Sequence, residues 1–279
     1  MKLYSAGDQI GDGAYRRIAS YDHASTYIGP SDRLLFAVTP TQGAGPLNLV
    51  MDEPDRLPDK LSFRRPCLYL ENSPTPLRPD QLFRSSLPLL SVFTPTFQHS
   101  VAFLKQWLLA NAPEESLAFL LADTVASPSR SAAQRFFRKR AMEAHSALRE
   151  GDLEAAAQSL RGCGPGLTPA GDDFICGMLF TLRLTAPCDL EQSSRIFRVA
   201  RGKSPVVNAF LEMARDGYAF ERFHLLLHAL QGSDTAEIEH IAKQLSVVGA
   251  TSGVDLCVAF VLTWEAELKR VGASTMDAC

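Results

Sequence analysis

The chain has 279 residues, 46% hydrophobic and 21% charged, which is the composition of a globular protein able to bury one large core or two modest ones. Its formal net charge is −3, and the basic residues are scattered apart from a short cluster between Arg135 and Arg140. This balance lacks the positive footprint of a protein that binds nucleic acid or an anionic membrane. We therefore expect neither partner.

The cysteines and the apolar stretches predict the cellular compartment. The six cysteines form no C-x-x-C pair and have no nearby histidines at zinc-ligand spacing, so we expect no disulfide framework and no structural metal. The N-terminus has no apolar signal region, and the most apolar stretches, ICGMLFTL and LCVAFVL, end well before bilayer length. These features predict a cytoplasmic protein in which both stretches are buried helices.

Residues 1–97 are predicted to form a β-rich N-terminal domain. The runs ASTYIG, RLLFAVTP, PLNLVM and CLYL carry β-branched and aromatic residues and are separated by Gly, Pro and Asp turns. Residues 54–95 hold eight of the seventeen prolines, which predicts an extended connection across the domain surface. The domain change is placed near residue 97.

Residues 98–279 are predicted to form a mainly helical domain. Apolar residues recur with a helical period from residue 101 onward, and a basic amphipathic segment at 131–149 stops before Gly151. Segments 152–161, 170–184, 190–201, 205–216, 219–231, 235–247 and 254–270 continue in the same style. The predicted fold class is therefore α+β, with a β-rich domain followed by a helical one.

A glycine-rich stretch, RGCGPGLTPAGDDFICG at residues 161–177, opens one of these helices. Gly162, Gly164 and Gly166 give a backbone that can turn its N–H groups toward an anion. Thr168 followed by Pro169 predicts a helix start with Thr168 as its cap. The stretch matches neither the Walker loop nor G-x-G-x-x-G, since a leucine follows Gly166, and so predicts no nucleotide.

Two further features of the stretch bear on ligand binding. Gly171 costs about 1 kcal/mol relative to alanine in a first turn, which indicates close approach either of a ligand or of another helix. Asp172 and Asp173 lie in the same turn, where the positive end of the helix dipole stabilises carboxylates. They are also candidates to orient a substrate amide or to hold a Mg²⁺ ion that bridges to a phosphate.

A second stretch, GATSGVDLCVAFVL, echoes the first. Thr251, Gly253 and Asp255 correspond to Thr168, Gly171 and Asp173, with one residue fewer between Thr and Gly. Two such helix starts could converge on one anion. The alternative is a chance match combined with ordinary helix capping.

Other candidates are weaker on sequence grounds. Cys163 has no histidine nearby in sequence to activate it as a nucleophile. Ser204, before Pro205, predicts a helix cap and could contact an anion together with Lys203. Asn48, in the glycine turn TQGAGPLNLV, is a candidate to face a cleft between the domains.

The motif G-x-G-P-G-L-T-P-x-G-D-D, at Gly162 to Asp173, resembles that of a family long catalogued as a domain of unknown function. The family includes a subunit of the oxamate carbamoyltransferase of anaerobic allantoin degradation. The later G-x-T-S-G-x-D, from Gly249 through Ser252 to Asp255, and the G-P-x-N-L-V at Gly45 to Val50 fit the same family.

The resemblance implies carbamoyl transfer from carbamoyl phosphate to oxamate or a related small amide acid, within a complex of several subunits. It implies donors at Gly164, Gly166 and Thr168, and Asp172 or Asp173 as the residue that orients the amide or a cation. An alternative remains open at this stage: a non-catalytic subunit that binds a metabolite or supports the active site of a partner.

Overall fold

The computed structural model describes residues 2–70, 73–122, 131–166 and 168–276. Strands occupy the N-terminal part and helices the rest, so the fold class is α+β, as predicted. The chain divides into two compact units. The sheet unit comprises Met1–Ser86 and Tyr218–His224, and the helical unit comprises Leu87–Gly217 and Leu225–Cys279.

The sheet unit contains one mixed sheet, which has nine strands among the described residues. The strands are β1 (Leu3–Gly7), β2 (Gly13–Tyr21), β3 (Ala24–Ile28), β4 (Leu34–Val38), β5 (Asn48–Met51), β6 (Lys60–Arg64), β7 (Cys67–Leu70), β8 (Ser73–Pro76) and β9 (Leu82–Phe83). Their order is β8-β7-β6-β2-β3-β4-β5-β1-β9. The pairs β4–β5 and β1–β9 are parallel and the others antiparallel.

The core of the sheet unit is formed by apolar side chains that share one face of the sheet, with Tyr15, Tyr27 and Phe63 among the largest. Residues 218–224 join this unit at the turn between β4 and β5. The backbone N–H of Ala44 donates to Glu221 Oε2 at 3.3 Å, and the Arg222 guanidinium donates to the carbonyls of Thr41 and Gln42.

Four strands, β6 to β9, lie within residues 54–95, where the proline content predicted a connection. The prolines lie where strands tolerate them: Pro66 is in the turn between β6 and β7, while Pro74 and Pro76 belong to β8, an edge strand. The stretch without a strand or helix before the first α-helix is therefore limited to residues 84–94.

The helices are α1 (Pro95–Asn111), α2 (Ala132–Arg149), α3 (Leu153–Leu160), α4 (Ala170–Thr185), α5 (Leu190–Ala200), α6 (Pro205–Asp216), α7 (Glu221–Gly232), α8 (Thr235–Ser246) and α9 (Ser252–Met276). A short 3-10 helix at Leu117–Leu121 lies between α1 and α2. The predicted helical segments are all present, and their ends differ from the predicted ones by at most six residues. No helix among the described residues combines the length and apolar content needed to cross a membrane.

Helices α4 and α9 form the centre of the helical unit. Thirteen of the 16 residues of α4 are buried, which is typical of a helix packed on all sides. A Cβ at Gly177 would overlap the carbonyl oxygen of Leu256 and lie 2.8 Å from the Ala259 Cβ. Glycine at this position therefore lets the two helices approach closely, and the two predicted buried helices are confirmed.

Candidate functional site

The glycine loop, residues 161–169, connects α3 to α4. Its alternate glycines all have left-handed backbone conformations, with φ of +66° at Gly162, +116° at Gly164 and +98° at Gly166. Residues with a Cβ rarely adopt such angles, so the three glycines are required by the course of the backbone. Leu167 lies outside the described residues.

The start of α4 differs in detail from the sequence prediction. The helix begins at Ala170, after Pro169, and Pro169 has no capping side-chain bond. Thr168 does not cap the helix: its hydroxyl lies 3.1 Å from that of Ser252, at the start of α9. The Thr168 hydroxyl therefore links the two helix starts.

Gly171 packs against the end of α3. A Cβ at Gly171 would overlap the carbonyl oxygen of Leu160, and the Gly171 N–H donates to the carbonyl of Cys163 at 2.8 Å. The close contact between the start of α4 and the end of α3 thus explains why a glycine occupies this position. A ligand contact at Gly171 remains a prediction.

Asp172 ties the glycine loop to α4. Its side chain is only 5% exposed, and its Oδ1 accepts a hydrogen bond from the Gly162 N–H at 2.9 Å. Burial raises the pKa of Asp172 above its ordinary value, while the Gly162 N–H and the nearby Arg161 charge act in the opposite direction. Asp172 is therefore a structural residue of the loop that also faces the cavity described next.

A cavity of about 540 Å³ lies between the glycine loop and the segment that joins α5 to α6. We call it the basic cavity. Its lining residues are Arg161, Gly162, Gly166, Pro169 and Asp172 on the loop side and Ala200, Arg201, Gly202, Lys203, Ser204 and Val207 on the other. All of them belong to the helical unit.

Three cationic side chains line this cavity: Arg161, Arg201 and Lys203. None of the three forms a salt bridge within the described part of the chain. Arg161 is held in place by donating to the Val199 carbonyl at 3.3 Å. With Asp172 as the single lining carboxylate, the cavity carries an excess of positive charge.

The opposite wall of the basic cavity is a helix start. Ser204 caps α6 by accepting from the Val207 N–H, as predicted, and Pro205 occupies the first helical position. Asn208 bonds both the N–H and the carbonyl of Gly202, each at 3.0 Å, and so fixes the preceding segment. The positive end of α6 adds to the charge of Lys203 and Arg201.

The second glycine stretch repeats the geometry of the first. A Cβ at Gly253 would overlap the carbonyl of Leu245 at the end of α8, just as one at Gly171 would overlap Leu160. The Gly253 N–H donates to the carbonyl of Val248, the counterpart of Cys163. The two helix starts meet through the hydroxyls of Thr168 and Ser252, while their convergence on one anion remains a prediction.

Asp173 and Asp255 occupy matching positions, two residues after these glycines, and we call them the interhelical pair. Ser252 hydrogen-bonds Asp173, while Asp255 accepts from the backbone N–H of Leu117 at 2.6 Å and from the Thr251 side chain. Burial is the main cause that raises the pKa of each carboxyl to about 7. Unlike Asp172, neither residue lines the basic cavity.

The remaining candidates from the sequence either lie in the sheet unit or have a side chain that is poorly suited to react. Burial raises the pKa of the Cys163 thiol, which disfavours the nucleophilic thiolate. Asn48 lies in the sheet unit, where its amide donates to the Gly43 carbonyl at 3.0 Å, and its part in a site remains a prediction. Among the described residues, no group of three or more His, Cys, Asp or Glu side chains could hold a metal ion.

Sequence reasoning missed Arg161 and Arg201. The available signal was that each basic residue ends a predicted helical segment and precedes a glycine, as in R-G-C-G and R-G-K-S. Each motif places a cationic side chain directly before a glycine turn. Only the fold shows that the two turns face each other across one cavity.

Comparison with known proteins gives one finding. No curated protein and no solved structure shows significant similarity to the chain. One family model matches, and its match covers both glycine stretches and the basic cavity. Residues 160–264 match the model of the family described as oxamate carbamoyltransferase subunit AllH, which is the family that the motif at Gly162 to Asp173 resembles.

Proposed function

We propose that this chain is a subunit of a carbamoyltransferase and that its basic cavity binds the phosphate group of carbamoyl phosphate or a comparable small anion. The family matched by residues 160–264 is named for oxamate carbamoyltransferase. The observation that carries the proposal is the set of three cations, Arg161, Arg201 and Lys203, that line one cavity without salt-bridge partners among the described residues.

The arrangement suits a compact anion. Positive charge comes from the three side chains and from the start of α6, and the glycine turns at Gly162, Gly166 and Gly202 allow a guest to approach the backbone. Guanidinium groups bind phosphate and carboxylate oxygens through paired N–H donors. The same cavity therefore fits phosphate and small carboxylates such as oxamate.

Asp172 supplies a different kind of contact. Within the described residues only its Oδ1 accepts a hydrogen bond, from Gly162. Its Oδ2 is therefore free to accept from an N–H of a carbamoyl group or an amide. A cavity with several cations and one carboxylate recognises an anion that also carries an N–H donor, a description that fits both carbamoyl phosphate and oxamate.

In carbamoyl transfer, the amide nitrogen forms a bond to the carbamoyl carbon while the bond from that carbon to the phosphate oxygen breaks. Negative charge develops on the departing phosphate, which accepts the proton that the amide nitrogen loses. Arg161, Arg201 and Lys203 would stabilise the phosphate charge. Asp172 would orient the N–H groups so that the reacting atoms meet in line.

The proposal is tested by calorimetric titration of inorganic phosphate and carbamoyl phosphate into the purified chain. The double variant Arg201→Ala/Lys203→Ala should weaken the binding of both at least tenfold, since each charged hydrogen bond contributes about 1.5–3 kcal/mol. Both side chains are exposed, so the fold should persist.

The double variant Arg135→Ala/Lys139→Ala is the matched control. It removes the same two residue types from exposed positions of α2 that do not line the cavity. Equal loss of affinity in the two double variants would show that binding follows overall charge and would refute the assignment of the cavity.

A second candidate function is a non-catalytic subunit that binds the same anion. The supporting observation is that Cys163, the thiol within the glycine loop, has a raised pKa and is poorly suited to act as a nucleophile. The two functions are separated by assaying the purified chain with carbamoyl phosphate and oxamate. Formation of the N-carbamoyl product without any partner would exclude the second function.

A further inference from the structure

The interhelical pair is a buried arrangement that the proposed anion site does not use. Asp173 and Asp255 lie in the first turns of α4 and α9, whose starts meet through Thr168 and Ser252. Ser252, the first residue of α9, hydrogen-bonds Asp173 on α4, and the Asp255 charge raises the pKa of Asp173. The two carboxyl groups are therefore close enough to influence each other's ionisation.

Each member of the pair has an unsatisfied oxygen. Asp255 is fully buried, and its Oδ2 has no hydrogen-bond partner among the described residues, although its Oδ1 accepts from the Leu117 N–H. The Oδ2 of Asp173 is likewise buried without a partner in that part of the chain. Neither carboxylate forms a salt bridge within the described residues. Two buried negative charges without a counter-ion are costly, and a proton on one of them removes most of that cost.

Among the described groups that act on the ionisation of Asp173 and Asp255, none carries a positive charge. On α4, Asp172 is a third carboxylate that raises the pKa of Asp173, and Cys176 is a buried thiol whose own pKa is raised. On α9, Cys257 is a buried thiol with a pKa of about 12. The 3-10 helix contributes the Leu117 N–H, and the end of α8 contributes the Leu245 carbonyl beside Gly253. Arg161, at the end of α3, acts on Asp172.

We propose that Asp173 and Asp255 share one proton at neutral pH and that loss of this proton weakens anion binding in the basic cavity. The second part rests on the proposed function. Asp173 directly follows Asp172, which lines the cavity, so ionisation of the pair adds a negative charge behind the wall that receives the anion. Anion binding and proton uptake by the pair then favour each other.

The shared proton is tested in the free protein by carboxyl-carbon NMR with labelled aspartate, recorded from pH 4 to pH 9. Assignment uses the single variants Asp173→Asn and Asp255→Asn, in which the amide oxygen can still accept a hydrogen bond. One carboxyl resonance of the pair should titrate between pH 6 and pH 8. If both resonances complete their titration below pH 5, the proposal is overturned.

The link to the cavity is tested with inorganic sulfate, a tetrahedral dianion that does not itself titrate between pH 6 and pH 8. The wild-type dissociation constant should rise about three- to tenfold from pH 6 to pH 8, the order expected for one negative charge added near the cavity. At pH 7, titrations in two buffers of different ionisation enthalpy should show net proton uptake on binding. Asp173→Asn should bind sulfate with less than a twofold change across the same range.

Glu115→Gln is the matched control, because it removes an exposed carboxylate and should keep the wild-type pH dependence. Sulfate binding that is equal at pH 6 and pH 8 in the wild type would overturn the link while leaving the anion site intact. Failure of sulfate to bind at either pH would overturn the anion site and the link together. The NMR titration decides the shared proton in either case.

Discussion

Asp172 and Asp173 are neighbours with different surroundings. Asp172 holds Gly162 and lines the basic cavity, whereas Asp173 faces Ser252 and the start of α9. The sequence predicted both residues as site candidates, and Asp255 echoes Asp173 in the second stretch. The geometry favours Asp172 for ligand contact and assigns Asp173 to the interhelical pair. Adjacent positions on a helix point about 100° apart, so two neighbouring carboxylates face different partners.

The raised pKa of Asp173 predicts how stability depends on pH. Its folded value is about 7 and its ordinary value 3.8, so the group favours folding below about pH 4. This contribution is lost as the pH rises from 4 to 7. Asp173→Asn should therefore increase the free energy of unfolding at pH 8 by about 1–3 kcal/mol and change it little at pH 4.

Urea denaturation at both pH values measures this effect. Glu115→Gln should show no comparable gain at pH 8, because that side chain is exposed. A loss of stability at pH 8 in Asp173→Asn would mean that the carboxylate serves the helix dipole, and the burial argument would be wrong.

At the scale of the helices, close packing of α4 on α9 depends on Gly177. Alanine at this position would overlap the Leu256 carbonyl, which belongs to a helix backbone and cannot move aside easily. Gly177→Ala should therefore lower the free energy of unfolding by about 1–3 kcal/mol, a typical cost of overpacking a core. Thermal and urea denaturation report the change.

Gly232→Ala supplies the comparison for a helical glycine with open surroundings. No atom lies within 4 Å of a Cβ at Gly232, so alanine there should be neutral or stabilise by up to about 1 kcal/mol. If Gly177→Ala and Gly232→Ala changed the free energy of unfolding equally, helix propensity alone would explain the effect at Gly177. The close approach of α4 and α9 would then be contradicted.

Local patterns predicted the helices and several of their caps, because helical periodicity and capping involve residues near each other in sequence. Ser204 caps α6 as predicted. Thr168 does not cap α4, since a partner 84 positions away, Ser252, takes its hydroxyl. The strands at residues 60–76 were obscured by prolines that β8 tolerates as an edge strand. Patterns within a segment cannot show such long-range pairings.

For the whole molecule, the motif at residues 162–173 resembles that of one family, and the model of this family matches residues 160–264. The basic cavity was only partly foreseen. Lys203 and Ser204 were predicted to contact an anion, but no sequence pattern joins them to Arg161, about forty positions earlier. Their meeting depends on the packing of α3, α5 and α6, which is a property of the folded helical unit.

The central claim is that anions bind in the basic cavity. The most direct measurement is an amide NMR titration of the glycine-labelled chain with carbamoyl phosphate and with inorganic phosphate. We predict saturable shifts at Gly162, Gly166 and Gly202, which line the cavity, and unchanged signals at Gly13 and Gly29 in the sheet unit. Saturable shifts confined to the sheet unit, or none at the three cavity glycines up to millimolar ligand, would contradict the account.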